Sequence, residues 1–226
     1  MRTLESALVG LALALVVAGV VLGALVTPPF TRTLVRGLDV AATSGVSPAA
    51  VESLAERVRV FVTDRSSPGL PADFEGAPAF DEAAVSHLED VREVLFAARA
   101  TTGVLAGVLA IWLAFGLARK RTDRIASALF AGALWCLVIP VVGAVLALSD
   151  FDSFFAGFHA LFFESGTWTF PADALLIRLF PEPFWEGAGA ALAAGIVFGG
   201  AMLGALGYLV RRGTRVTSGG ARQPTA

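Results

Sequence analysis

Residues 100–148 read ATTGVLAGVLAIWLAFGLA-RKRTDR-IASALFAGALWCLVIPVVGAVLAL, two uncharged apolar runs around a short basic turn. Crossing about 30 Å of hydrocarbon takes about 20 apolar helical residues, and each run is of that length. The pair is therefore predicted to be a transmembrane helical hairpin, Ala100–Ala118 and Ile125–Leu148, joined through Arg119, Lys120, Arg121 and Arg124. Basic residues mark short cytoplasmic loops, which places this turn in the cytoplasm. Outward from the hairpin, Ala7–Val26 and Gly187–Val210 are two further uncharged apolar runs of spanning length. Arg2 precedes the first, and Arg211, Arg212, Arg215 and Arg222 follow the last; only Glu5 and Asp123 oppose all these cations. Both ends are thus predicted to be cytoplasmic.

The expected fold is an all-α integral membrane protein, a four-helix transmembrane bundle with a small, mainly helical extracytoplasmic cap. Its segments are a cytoplasmic start and first span (1–26), the cap segment (27–99), the second and third spans (100–148), an aromatic interfacial segment (149–186), the fourth span (187–210) and a cytoplasmic tail (211–226). A cleaved signal peptide is the other reading of the first run, but a run of about 20 residues exceeds a 7–15-residue signal core. It also ends in Thr27-Pro28-Pro29, without a small-x-small site. The glycine pairs Gly195/Gly199, Gly200/Gly204 and Gly103/Gly107 suit close helix packing, and Pro140 is expected to kink the third span.

Composition agrees. Of 226 residues 56% are hydrophobic, above the roughly 45–50% of soluble domains, so the excess belongs in lipid. A net charge of −2 points away from a nucleic-acid partner. One cysteine, Cys136, excludes an internal disulfide and any multi-cysteine metal site. The spans carry no charged residue, which argues against a pump or channel.

The cap segment holds two predicted helices. Ser47-Pro48 starts one, with Val51, Leu54, Val58 and Phe61 at helical spacing. Gly69, Pro71, Gly76 and Pro78 break the chain into a loop, and Asp81 caps a second helix running toward the second span. On it His87 falls within the apolar stripe of Leu88, Val91 and Val94, with Asp90 three residues on, within side-chain reach. A carboxylate there orients an imidazole and favours its protonated form. A lone histidine on an apolar face is ordinarily a core residue, so His87 alone decides nothing.

The other histidine, His159, sits among Phe151, Phe154, Phe155, Phe158, Phe162 and Phe163, followed by Trp168, Phe170, Phe184 and Trp185. Helical spacing puts Phe155, Phe162 and Phe163 on its face. An aromatic belt explains interfacial tryptophans, but a titratable ring inside the belt is costly and wants a purpose. Arg178, within Leu175–Phe180, raises the same question: an ion pair with Glu182 or Asp173, or a clamp on a lipid head group or a carbonyl. Two imidazoles and one carboxylate make a poor zinc site. No nucleophile elbow is present, with Ser86 and Ser165 open as nucleophiles. A pair of acid–base groups at a lipid interface fits these residues best.

These residues carry a family resemblance. His87-Leu88-Glu89-Asp90-Val91 resembles the His-x-x-Asp-Val element of the lipoprotein intramolecular transacylases (Lit family). The second outer element of that family is similar to the run from Phe158-His159 through Phe162-Phe163, Gly166-Thr167-Trp168-Thr169-Phe170 and Leu176–Pro181 to Phe184-Trp185. The Ala- and Arg-rich spans and cap depart from the family, so the outer motifs carry the likeness. The resemblance implies a membrane acyltransferase of the bacterial cell membrane with its site on the extracytoplasmic side. It would move the sn-2 acyl chain of a diacylglyceryl-cysteine lipoprotein onto the cysteine's own amine, giving the lyso form without cofactor or metal. It places the functional histidines at His87 and His159. Asp90, Arg178 and Trp168 are expected to support them, while Phe155, Phe158, Phe162 and Phe163 hold acyl chains alongside Trp168. His159 is assigned as base and His87 as oxyanion stabiliser or proton donor to the leaving oxygen; the reverse assignment stays open. The partners are a diacylated lipoprotein and membrane lipids. The alternatives are another outer-leaflet lipid-processing enzyme using the same histidines, or a non-catalytic scaffold or accessory protein. If residues 81–118 form one straight helix, His87 lies about 20 Å of rise from Ala100, so either the helix breaks near Arg99–Gly103 or the cap forms a cleft that lifts the lipid.

Overall fold

Uncharged runs of this length leave the backbone no partner in lipid but itself, and they form helices. The computed structural model describes residues 2–219; Arg222 and the rest of the expected tail beyond 219 lie outside it. Four described helices are long and apolar enough to cross a membrane: α1 (Arg2–Leu25), α5 (Glu82–Ala118), α6 (Thr122–Ser149) and α9 (Glu182–Gly219). The chain divides into two compact units, one drawn from Met1–Val21, Thr101–Gly143 and Ala193–Ala226, the other from Leu22–Ala100 and Ala144–Leu192.

In the first unit, small residues set how closely helices approach. A Cβ added at Gly195 would stand 2.6 Å from Val21, one at Gly199 2.5 Å from Val17, and one at Gly200 2.5 Å from Cys136. The expected packing role of the fourth-span glycines is thus met. That of Gly103 and Gly107 is not, since nothing stands within 4 Å of either. Val104 and Ile111 on the same helix are 67% and 73% exposed, a surface suited to lipid and costly in water. Trp135 donates its indole N–H to the Ala7 carbonyl at 3.2 Å, and Arg124 pairs with Glu5 at 3.0 Å. Pro140 lies buried inside α6.

The second unit adds α2 (Pro28–Gly37), α3 (Val40–Ser44), α4 (Pro48–Thr63), α7 (Phe151–Ala160), α8 (Leu175–Leu179) and a hairpin of β1 (Asp73–Phe74) and β2 (Ala77–Pro78). Ser47 caps α4 by accepting from the Ala50 N–H, and Asp81 caps α5 by accepting from the Ala84 N–H at 2.7 Å. Both starts fall where the sequence places them. Val51, Leu54, Val58 and Phe61 of α4 join Val35, Val40, Leu88, Leu179 and Phe184 in one buried core. Leu179, fully buried, anchors α8 in it.

Two local features were not expected, and one alternative is decided. The loop over 69–78 contains an antiparallel pairing, Asp73 with Pro78 and Phe74 with Ala77. Its turn residues Glu75 and Gly76 both have positive φ, the twist that matches two-residue hairpins. Helix α2 is new; Pro28-Pro29 fills its first turn, where the missing N–H costs nothing. Helix α5 does not break near Arg99–Gly103. Arg99 is accommodated there by donating to the Thr63 carbonyl at 2.9 Å and lying over the Phe96 ring.

Candidate active site

His87 stands one turn and a half into α5, where its backbone is fixed by the Asp81 cap and by Leu88 in the core. His159 stands at the end of α7, which Asp150 starts by accepting from the Ser153 N–H. Both histidines belong to the second unit, whose part of α5 together with α7 brings the two imidazoles to a centroid separation of 6.1 Å, with 32° between planes. Each histidine is only 8% exposed.

Aromatic rings enclose the pair. Phe163 meets His87 at 5.0 Å and His159 at 5.7 Å, so it touches both. Phe155 lies 4.1 Å and Trp168 4.7 Å from His159, while Phe158 meets it edge-on at 5.6 Å. Phe162 packs on Phe158 and Phe163 instead, and both Phe158 and Phe162 keep about half their surface exposed. Phe170, which the site assignment omitted, stands 5.6 Å from His87. Its signal was the aromatic run Trp168-Thr169-Phe170.

The hydrogen bonds set the protonation pattern. His159 Nδ1 lies 2.8 Å from the Phe155 carbonyl oxygen. A carbonyl only accepts, so Nδ1 carries the proton and the neutral ring keeps its lone pair on Nε2. Burial pushes the His159 pKa below the ordinary histidine value, against the opposing pull of the Phe155 carbonyl. His87 lies 13 residues before the apolar run of its helix; burial lowers its pKa most, and the neighbouring His159 lowers it further. The charge of Asp90 acts in the opposite direction and is outweighed.

That outcome corrects the expected role of Asp90. Its side chain is exposed, and His87 Nδ1 is buried with no hydrogen-bond partner. The carboxylate shares the helix flank but turns to water, where its own solvation is better served. Of the two roles expected of Arg178, the ion pair does not form. Arg178 pairs with neither Glu182 nor Asp173; its Nε donates to the Ser44 carbonyl at 2.8 Å, at the buried C-terminal residue of α3. The contact ties α8 to α3, and a guanidinium satisfying carbonyls at a helix terminus is a favourable use of its charge. Ser86 and Ser165 are both exposed, and His159 Nδ1 is given to a carbonyl, so no serine–histidine dyad forms through that nitrogen.

The sequence model of the lipoprotein intramolecular transacylase Lit matches residues 7–185, a stretch that includes both histidines. The chain belongs to the Lit family. A Lit from Bacillus cereus, solved as a membrane-integral lipoprotein intramolecular transacylase, shares the fold with a TM-score of 0.80 over 96% of this chain and 98% of its own, at 16% identity. Variants of the same Lit with one histidine replaced by arginine or by alanine match with TM-scores of 0.75, each over 96% of this chain, at 15% identity. A protein of Aquifex aeolicus (strain VF5), described as uncharacterized, is 28% identical over 110 residues, 49% of this chain. The chain spans about half the length (48%) of that curated relative. As a Lit-family member this chain is an integral membrane protein with an all-α fold.

Proposed function

We propose that this protein isomerises a diacylglyceryl-cysteine lipoprotein on the extracytoplasmic face of a bacterial membrane, moving the sn-2 acyl chain from glycerol oxygen to the cysteine's α-amine. The observation that carries the reading is the buried imidazole pair, 6.1 Å apart, with His159 Nδ1 bound to a carbonyl and its Nε2 left as a base. The basic residues at 119–124 and 211–212 support the orientation.

The chemistry asks little beyond positioning and proton transfer. An amide replaces an ester, so the step runs downhill. Amine and ester share one molecule, and folding them together supplies much of the rate. The free amine attacks the ester carbonyl carbon, forming the N–C bond and placing negative charge on the carbonyl oxygen. His159 Nε2 takes the proton the nitrogen sheds; the C–O bond to glycerol breaks, and the leaving oxygen takes a proton from His87. Passage of a proton from the His159 imidazolium back to His87, directly or across one water, restores both rings. The partly exposed Phe158 and Phe162 give the acyl chains an apolar lining beside the bases. With α5 unbroken, His87 stands about 20 Å of helix rise before Ala100, so this reading requires a lipid ester to be lifted toward it along these rings.

The pH dependence follows. Only neutral His159 accepts a proton, and its depressed pKa keeps it neutral to lower pH than an ordinary histidine. The acid limb of kcat/KM is expected to have its midpoint below the ordinary histidine value of about 6.5. The substrate amine, with a reference pKa of about 7.7–8.0, titrates in the same limb and is divided out by its own titration; a remaining midpoint above about 6.5 would show that the imidazoles are held charged.

The function is tested by comparing lipoprotein N-terminal peptides from bacteria with and without the gene. Because the transfer is an isomerisation, intact mass is unchanged, and fragment spectra must locate the acyl chain. Acyl on nitrogen and a free glycerol hydroxyl only when the protein is present is the expected result. Unchanged lipoproteins beside altered phospholipids would instead indicate a different lipid-processing enzyme.

A further inference from the structure

Among the described residues, three side-chain nitrogens are buried without a hydrogen-bond partner: His87 Nδ1, Arg92 Nε and Trp168 Nε1. Arg92 lies over the Phe61 ring and reaches Glu89 at 3.8 Å. The other two belong to the ring cluster around His159, and Trp168 is the harder to account for. An indole N–H donates and never accepts, so only an acceptor satisfies it. Left unpaired in a buried position it is costly, because the lost hydration is not replaced. A belt tryptophan keeps its N–H toward water or finds a carbonyl, as Trp185 does by donating to Phe180 at 2.9 Å. Trp168 does neither, and its ring lies 4.7 Å from that of His159.

We infer that the Trp168 Nε1–H is a catalytic hydrogen-bond donor to the ester carbonyl oxygen, stabilising the negative charge that develops there as the amine attacks. The inference rests on the acyl-transfer reading and adds a residue to it. Two observations converge. The donor is buried and unpaired, and it sits beside the ring that takes the amine's proton; the carbonyl oxygen of a lipid ester is an acceptor of the kind it lacks. The imidazoles are poor substitutes: His159 spends its N–H on Phe155, and a neutral His87 has a single N–H, which the leaving glycerol oxygen takes. An indole N–H does not titrate near neutrality, so it remains a donor across the working range. A fixed donor in a dry site needs no reorganisation when charge appears. With Trp168 on the carbonyl oxygen, His87 is left for the leaving glycerol oxygen.

The test replaces Trp168 by 3-benzothienylalanine, which keeps the bicyclic shape and substitutes sulfur for the N–H, alongside Trp168→Phe. The full-length protein in lipid vesicles is given a synthetic diacylglyceryl-cysteine peptide as its ordinary ester and as the thionoester, whose sulfur accepts hydrogen bonds poorly. The benzothienyl protein is expected to lose about 10²-fold in kcat with KM little changed. The unaltered protein should favour the ordinary ester, and the variant should lose that preference. Unchanged kcat, or a rise in KM alone, would overturn the inference, as would an unaltered protein that treats the two esters alike. If the unaltered protein yields no N-acyl product from the ordinary ester, the acyl-transfer reading itself falls, and this assignment with it.

Discussion

Replacing His159 by alanine is expected to slow acyl transfer by about 10²–10⁴-fold while the protein still folds. The ring supplies a base that no neighbour can replace: the groups touching it are Phe155, Phe158, Phe163, Trp168 and His87, and of these only His87 titrates. His87 lacks the carbonyl bond that fixes the tautomer, so it makes a poorly oriented substitute. The fold should survive because the core of the second unit, Leu179 with Val51, Leu54 and Phe184, does not include the histidine. His87→Ala should cost a comparable factor, and the double variant little more than either single one, because residues that act as one relay do not contribute additively. Single-turnover rates on a diacylglyceryl peptide, with circular dichroism as the folding control, check all three. Full activity in His159→Ala would contradict the assignment of that ring as the base.

The opposite pattern is expected in the first unit. Gly199→Leu with Gly200→Leu should prevent accumulation of folded protein. The two glycines face different neighbours, Val17 and Cys136, and a Cβ at either position would lie 2.5 Å from its neighbour's side chain. At Gly200 the Ala133 carbonyl, 3.3 Å from the same Cβ, closes the backbone side as well. Overpacking of this kind costs about 1–3 kcal/mol per site, and two sites on one helix can exceed a marginal stability. Size-exclusion profiles in detergent read the result. Gly103→Leu with Gly107→Leu serves as control and should be tolerated, since nothing packs against either glycine.

The spans were legible because uncharged runs of about 20 residues have one stable environment. The α4 and α5 starts were legible because Ser47-Pro48 and Asp81 carry their capping chemistry locally. The histidine pair was legible for a different reason: an ionisable ring among phenylalanines costs energy wherever the fold puts it. What the sequence hid is long-range or environmental. Arg178 finds Ser44 across 134 residues, and no local pattern encodes that partner. Asp90 stands where helical spacing puts it, but solvation decided which way its side chain turns. The continuity of α5 through Arg99 depends on a carbonyl at the end of α4, which the apolar pattern does not reveal. The unpaired Trp168 N–H is a property of packing alone.

The most direct measurement uses purified protein in vesicles with two diacylglyceryl-cysteine peptides of different sequence, one carrying a deuterated sn-2 chain. Fragment spectra should find the deuterated chain on the nitrogen of the peptide that began with it, and none on the other. Label that stays on glycerol, or that appears on the second peptide's nitrogen, would contradict transfer within one molecule between these two imidazoles.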